Sequence, residues 1–185
     1  MRVFTLEVQL TLPRPIDEVF SFFADAGNLE AITPPWLKFA ITTPRPIAMH
    51  RGALIDYRLR LRGVPINWRT RITEWSPPSK FVDMQLRGPY SLWHHTHTFE
   101  PARTVSGPEG TLVLDKVRYA VPFGGLARSL FVRPQIDAIF RYRQHAMMRL
   151  ILGEAEAKTL PLPPPPTHGE EASMTRDDVR QLAGA

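Results

Sequence analysis

Residues 91–121, SLWHHTHTFEPARTVSGPEGTLVLDKVRYAV, read as two strands joined by a loop, Gly107 to Gly110. Side chains alternate between the two faces of a strand. In the first half Trp93, His95, His97 and Phe99 therefore share one face, and His94, Thr96 and Thr98 the other. The bulky aromatics mark the first set as inward, which takes His95 and His97 inside with them. In the second half Thr111, Val113, Asp115, Val117 and Tyr119 share a face. Read as the inner face, it brings Asp115 inside as well; Leu112 and Leu114 argue for the opposite assignment.

The same alternation extends upstream. Ala53 to Arg62 sets Ile55, Tyr57, Leu59 and Leu61 against Asp56, Arg58, Arg60 and Arg62, and Gly63 begins a tight turn. Ile66 to Trp75 follows, with Ile66, Trp68, Thr70, Ile72 and Glu74 on one face. Pro77-Pro78 and Gly88-Pro89 bracket a further strand, Lys80 to Arg87, and Leu37 to Thr43 reads as a first short one. Consecutive strands joined by short turns predict an antiparallel sheet. At the N-terminus Phe4, Leu6, Val8, Leu10 and Leu12 form the buried face of a strand that Pro13 and Pro15 end. Ile16, Val19, Phe20 and Phe23 then recur at the spacing of one helical stripe. Asn28 can cap a second short helix, which Pro34 and Pro35 end.

Downstream, Gly124 to about Ala157 is predicted helical, with Val132, Ile136, Ile139, Phe140, Met147, Leu150 and Ile151 as its apolar stripe. Pro134 either kinks this helix or sits in the first turn of a fresh one. The order strand, two helices, six strands, long helix predicts an α+β fold. About seven antiparallel strands wrap the C-terminal helix, with a cavity inside, and the domain covers residues 1–157. Leu160 to Pro166 reads as an extended proline-rich linker. Residues 158–185 as a whole read as a mobile, disordered tail, with one short helix that Thr175 and Asp178 would cap.

Composition narrows the function. The chain has 185 residues, 43% of them apolar, enough for one core, and no cysteine. Disulfides, thiolate metal sites and cysteine nucleophiles are excluded. The N-terminal residues lack a signal peptide's pattern, and no apolar run approaches the roughly 20 residues that span a bilayer. A cytoplasmic protein without stable membrane insertion is expected. The net charge of +5 raises the question of polyanion binding. Its arginines, however, stand at alternate strand positions such as Arg58, Arg60 and Arg62, as on a solvated sheet face. No nucleic-acid motif accompanies them, and no nucleic-acid partner is expected. No Walker loop, GxGxxG or GxSxG is present. Gly124-Gly125 reads as a tight entry into the last helix. Trp36 and Leu37 either form an exposed mouth loop or pack under the sheet edge.

The inward histidines and aspartate demand an explanation, since a bare buried polar group costs several kcal/mol, about 2–7 by transfer estimates. They form a satisfied polar network that locks the strands, or they face a cavity filled by water or ligand. His95-Thr96-His97 can also chelate a metal, but no second histidine motif follows; no metal and no cofactor are expected.

These segments resemble the SRPBCC superfamily, the START-like helix-grip fold often described as polyketide cyclase/dehydrase-like. The resemblance rests on the β-α-α-β6-α order and on PRPIDEVFSFFADAGNLEAITPPW, GPYSLWHHTHTFEP and GTLVLDKVRYAVPFGGL, and covers roughly residues 1–152. It implies a deep cavity between sheet and last helix, and a small hydrophobic partner such as a lipid, a polyketide or another aromatic. By position, Tyr57, Trp68, Glu74, Trp93, His95, His97, Asp115 and Tyr119 would line or support that cavity from the sheet, and Phe140 and Met147 from the helix. The alternative is a cyclase or dehydratase in which His95 or His97, oriented by Asp115, is the general base.

Overall fold

The structure, a computed structural model, describes residues 1–104, 107–122 and 132–183. Strand β1 (Val3–Leu12) leads to helix α1 (Ile16–Ala24), the short helix α2 (Asn28–Ala31) and a 3-10 turn (Pro35–Leu37). Strands β2 (Ala40–Ile41), β3 (Leu54–Leu61), β4 (Val64–Ser76), β5 (Lys80–Arg87), β6 (Leu92–Thr104) and β7 (Gly107–Ala120) follow. Helices α3 (Arg133–Leu152) and α4 (Glu154–Ala157), strand β8 (Thr167–Glu171) and helix α5 (Arg176–Leu182) are the remaining elements among the described residues. All eight strands form one antiparallel sheet in the order β2-β3-β4-β5-β6-β7-β1-β8. With α3 packed on its inner face this is the α+β helix-grip architecture.

The strand alternation translates directly into packing. Arg62 and Gly63 both take positive φ, 51° and 85°, in the two-residue turn between β3 and β4, a type I′ geometry that glycine makes accessible. Phe4, Leu6 and Val8 of β1 and Val117 and Tyr119 of β7 are buried against Ile136 and Phe140 of α3. A second core joins Leu10 and Leu12, the α1 stripe Val19, Phe20 and Phe23, and Phe81, Phe99 and Val113 to Met147, Met148 and Leu152 at the other end of α3. Phe20 and Phe23 meet Phe99 edge to face at 5.3 and 4.9 Å, the preferred aromatic geometry. Pro134 stands in the first turn of α3, where its missing N–H has no helical partner to lose. Gly124 and Gly125 lie outside the described residues.

Several features depart from the sequence expectation. Gly27, not Asn28, is the N-cap residue of α2, and Gly153, at φ 83°, ends the predicted long helix at Leu152. The predicted strand over Leu37 to Thr43 shrinks to Ala40–Ile41, because Pro35–Leu37 closes into the 3-10 turn. Glu74 faces outward: the register slips between Ile72 and Glu74, and the carboxylate pairs with Lys80 at 2.8 Å on the surface. Such a bulge reverses the faces of every later residue on the strand. The sheet has eight strands, not seven, because the chain after the prolines returns. β8 pairs antiparallel with β1 from Val3↔Glu171 to Glu7↔Thr167. The proline run is held on the way, with Gln144 of α3 donating to the carbonyls of Gln9 and Pro164 at 3.0 and 3.2 Å. Thr175 and Asp178 form the anticipated reciprocal cap on α5. That helix brings Val179 and Leu182 against Val3, Met84, Leu92 and Ala120, on the sheet face opposite α3.

Candidate functional site

Between the two cores lies a cavity of about 150 Å³. Its walls come from β3, β4, β5 and β6, from α1 and α2, from the 3-10 segment and from α3. One side is an aromatic ladder. Phe39 meets Tyr57 at 4.7 Å, Tyr57 stacks on Trp68 at 5.8 Å, Trp68 meets Trp93 edge to face at 5.6 Å, and Trp93 meets Tyr90 at 4.7 Å. Polar atoms along it are paired: Thr70 Oγ1 accepts from Trp68 Nε1 at 3.0 Å and lies 3.1 Å from the Tyr57 hydroxyl. Burial and the charge of Asp83 push the Tyr57 phenol up, so it stays neutral. Trp36 is 55% exposed and rests edge to face on Tyr142 of α3 at 5.6 Å, while its neighbour Leu37 is buried and lines the cavity.

The polar pole follows from strand register. Asp83 of β5 stands opposite His95, and Asp115 of β7 stands opposite His97. Diagonal contacts close the four groups into a ring. His97 Nε2 is 3.0 Å from Asp83 Oδ2, and His97 Nδ1 is 2.6 Å from Asp115 Oδ1. His95 Nδ1 is 3.5 Å from Asp83 Oδ2, and His95 Nε2 is 3.2 Å from Asp115 Oδ1. The two contacts to Asp115 lie at ion-pair distance without the alignment of good hydrogen bonds. Both imidazoles and Asp115 are nearly sealed from solvent, and Asp83 keeps 17% of its side chain exposed. Phe81 stacks on His97 at 4.1 Å, and Phe140 meets His95 at 5.6 Å.

These surroundings divide the charge. Burial opposes protonation of His97, but Asp115 and Asp83 outweigh it and hold its pKa above the ordinary imidazole value. Burial and the positive charge of His97 push His95 down. Burial alone would raise Asp115; the charge of His97 and contacts from both rings hold it well below the usual carboxylate range. Asp83 is held down despite its burial by its hydrogen bond with His97 and by the charges of His95, His97 and Arg143.

Of the residues anticipated from sequence, Tyr57, Trp68, Trp93, His95, His97 and Phe140 border the cavity. Asp115 stands behind the histidines, and Tyr119 is wholly buried behind Trp93 and Tyr90. Met147 is packed into the core around α1, and Glu74 is on the surface. Asp83, Tyr90 and Arg143 also border the cavity and were not anticipated. Arg143 had a legible signal: it lies three residues after Phe140, on the same helical stripe. Its guanidinium carbon lies 5.5 Å from the centre of the Phe140 ring, and its buried Nε has no hydrogen-bond partner among the described residues.

The sequence profile of the family described as polyketide cyclase/dehydrase and lipid transport matches residues 12–148. The chain belongs to that family. No curated protein matches the sequence. Among solved structures, Ara h 8.0201 is similar at 15% identity and TM-score 0.59, over 82% of this chain and 99% of that one. The Zhui aromatase/cyclase from Streptomyces sp. R1128 is similar at 19% identity and TM-score 0.57, over 85% and 96%. A START superfamily protein from Mycobacterium smegmatis is similar at 13% identity and TM-score 0.58, over 80% and 99%. At these identities the likeness establishes the shared fold, and function has to be argued from the site.

Proposed function

We propose that this member of the polyketide cyclase/dehydrase and lipid transport family binds a small, largely apolar molecule with a polar end inside the cavity. The carrying observation is the cavity itself, whose walls combine the aromatic ladder with the polar side chains of Asp83, His95, His97 and Arg143. Mostly apolar walls with a few convergent polar groups are the usual composition of a small-molecule site. A cavity near 150 Å³ holds roughly one aromatic ring. No described helix is long and apolar enough to cross a membrane.

Isothermal titration with phenol and 2-naphthol tests this reading. Phenol is expected to bind saturably, one molecule per chain. Ile139→Trp, which places an indole in the cavity wall, is expected to weaken binding by about tenfold or more, the loss of a buried ring. Equal affinity in the parent and the Ile139→Trp chain sinks the reading.

A second reading has one observation behind it: both imidazoles border the cavity instead of being sealed away from it. An imidazole beside a bound carbonyl compound can abstract the adjacent proton, the first step of an aldol-type cyclisation. A poly-β-ketone mimic is expected to cyclise faster with the protein than in buffer, and His95→Gln to lose about 100-fold of that acceleration. A chain that gives no acceleration over buffer is a carrier.

A further inference from the structure

The chelating reading of His95-Thr96-His97 changes once Asp83 and Asp115 are in place. We propose that Asp83, His95 and His97 bind one divalent transition-metal ion at the cavity wall, with Asp115 orienting both imidazoles from behind. The inference is independent of which organic molecule occupies the cavity.

Four observations carry it. The first is donor spacing. Asp83 Oδ2 lies 3.0 Å from His97 Nε2 and 3.5 Å from His95 Nδ1. Metal bonds of about 2.0–2.1 Å in tetrahedral geometry place neighbouring donors roughly 3.3 Å apart, so these edges already fit a coordination polyhedron. All three donors lie within 4.8 Å of one another.

The second is the use of both nitrogens on each ring. The nitrogens not facing Asp83, His95 Nε2 and His97 Nδ1, both face one oxygen, Asp115 Oδ1. Metal-bound histidines hand their second N–H to a carboxylate or carbonyl that fixes tautomer and ring orientation. Here one carboxylate oxygen lies 2.6 and 3.2 Å from the second nitrogens of both rings, close enough to take this role once the rings turn onto a metal, and β6–β7 register places it there.

The third is charge. Two carboxylates face two imidazoles beside the apolar rings of Phe81 and Phe140. A dication at the three donors offsets the two carboxylates and leaves both histidines as neutral ligands, the form in which imidazole binds metals; Arg143, which also borders the cavity, adds one positive charge to the cluster.

The fourth is access. Asp83, His95 and His97 border the cavity, whereas Asp115 does not. The remaining coordination positions therefore face the cavity. Three protein donors with an open side is the arrangement of a reactive or ligand-binding metal centre rather than a structural one. Two imidazoles and a carboxylate without sulfur suit Zn²⁺ or Fe²⁺. An ion there would take an oxygen of the cavity's occupant as a ligand.

The test uses the full chain stripped with a chelator. Zn²⁺ is titrated by calorimetry and Co²⁺ by its visible absorption bands. One equivalent is expected to bind at micromolar affinity or tighter, with cobalt bands of a low-coordinate nitrogen–oxygen site. Asp83→Asn, His95→Gln and Asp115→Asn are compared, each checked for folding by circular dichroism. The first two are expected to weaken binding about 100-fold. Asp115→Asn, which leaves all three donors in place, is expected to weaken it about 10- to 100-fold. Two results overturn the proposal: no single equivalent bound at that strength, or an Asp83→Asn chain that binds as the parent does. In the latter case exposed histidines such as His50 and His145 hold the ion. Phenol titration in chelator, run separately, keeps failure here distinct from failure of the cavity reading.

Discussion

Removing residues 158–185 is expected to lower the thermal unfolding midpoint by about 10 °C, a loss of about 3–5 kcal/mol. The deleted segment carries the whole of β8, which satisfies the outer edge of β1. It also carries Met174, Val179, Leu182 and Ala183, which cover Val3, Met84, Leu92 and Ala120. A buried aliphatic side chain contributes about 1.5–3 kcal/mol, and these are partly buried, so a few kcal/mol in total is the right scale. Polar contacts add to it. Glu171 pairs with Arg118 at 2.7 Å and Lys116 at 3.4 Å, and Asp137 loses its 2.6 Å partner His168.

The truncation carries a pH signature. Burial alone would raise Glu171, but Arg118 and Lys116 hold its pKa below the ordinary value. A depressed carboxylate contributes stability that is present above its ordinary pKa, about 4.3, and is lost as pH falls through the folded value. The gap between full and truncated chains should therefore be widest near neutral pH and narrow below about pH 4. Bare β1 becomes an exposed edge strand, so the truncated chain should also aggregate more readily. Equal midpoints at neutral pH would restore the view that the segment is an unattached tail.

That view was the natural reading of the sequence, and its failure has a physical reason. Clustered prolines and a polar, acidic segment carry no local hydrophobic period. β8 exists because the edge of β1 is waiting for it, a relation across 160 or more positions that no window of sequence displays. A hint was nonetheless present. Met84, Leu92 and Ala120 stand on the face that β5, β6 and β7 should turn to water. Where the local period was strong, on β1, β6 and β7, elements and faces were legible; the α3 stripe held at Ile136, Phe140 and Met147 and failed at Leu150, which is half exposed. Asp115 was placed inside correctly even against Leu112 and Leu114. Glu74 was misplaced because a bulge inverts the alternation without any marker residue. Asp83 was missed because β5 buries residues from both faces, Phe81 and Val82 and Met84, and so offers no clean inside. The polar pole was therefore half visible: the His-x-His strand and Asp115 were read from sequence, and Asp83, which faces both imidazoles from β5, was not.

Asp115→Ala is expected to destabilise the protein by about 3–5 kcal/mol, measured by urea unfolding in the presence of chelator so that no bound ion contributes. The carboxylate is buried and contacts both imidazoles. Its removal leaves His95 and His97 with one shared partner, Asp83, and opens a void beside Val113 and Val117 on the same strand face. The penalty comes from stranding groups that stay polar and buried, not from the worth of the pair itself. A combined variant separates the two. Replacing the buried trio together, as His95→Leu, His97→Leu and Asp115→Val, removes the stranded groups and substitutes packable apolar volume. Asp83, still reached by solvent, is left able to hydrate. That chain is expected to recover most of the loss, to within about 1–2 kcal/mol of the parent, the range left by imperfect repacking. It should also lose its metal equivalent. Recovery of stability without recovery of binding would mean that the polar quartet is a functional feature that folding does not require. If the combined variant is instead less stable than Asp115→Ala, the quartet holds β5, β6 and β7 in register, and its first role is structural.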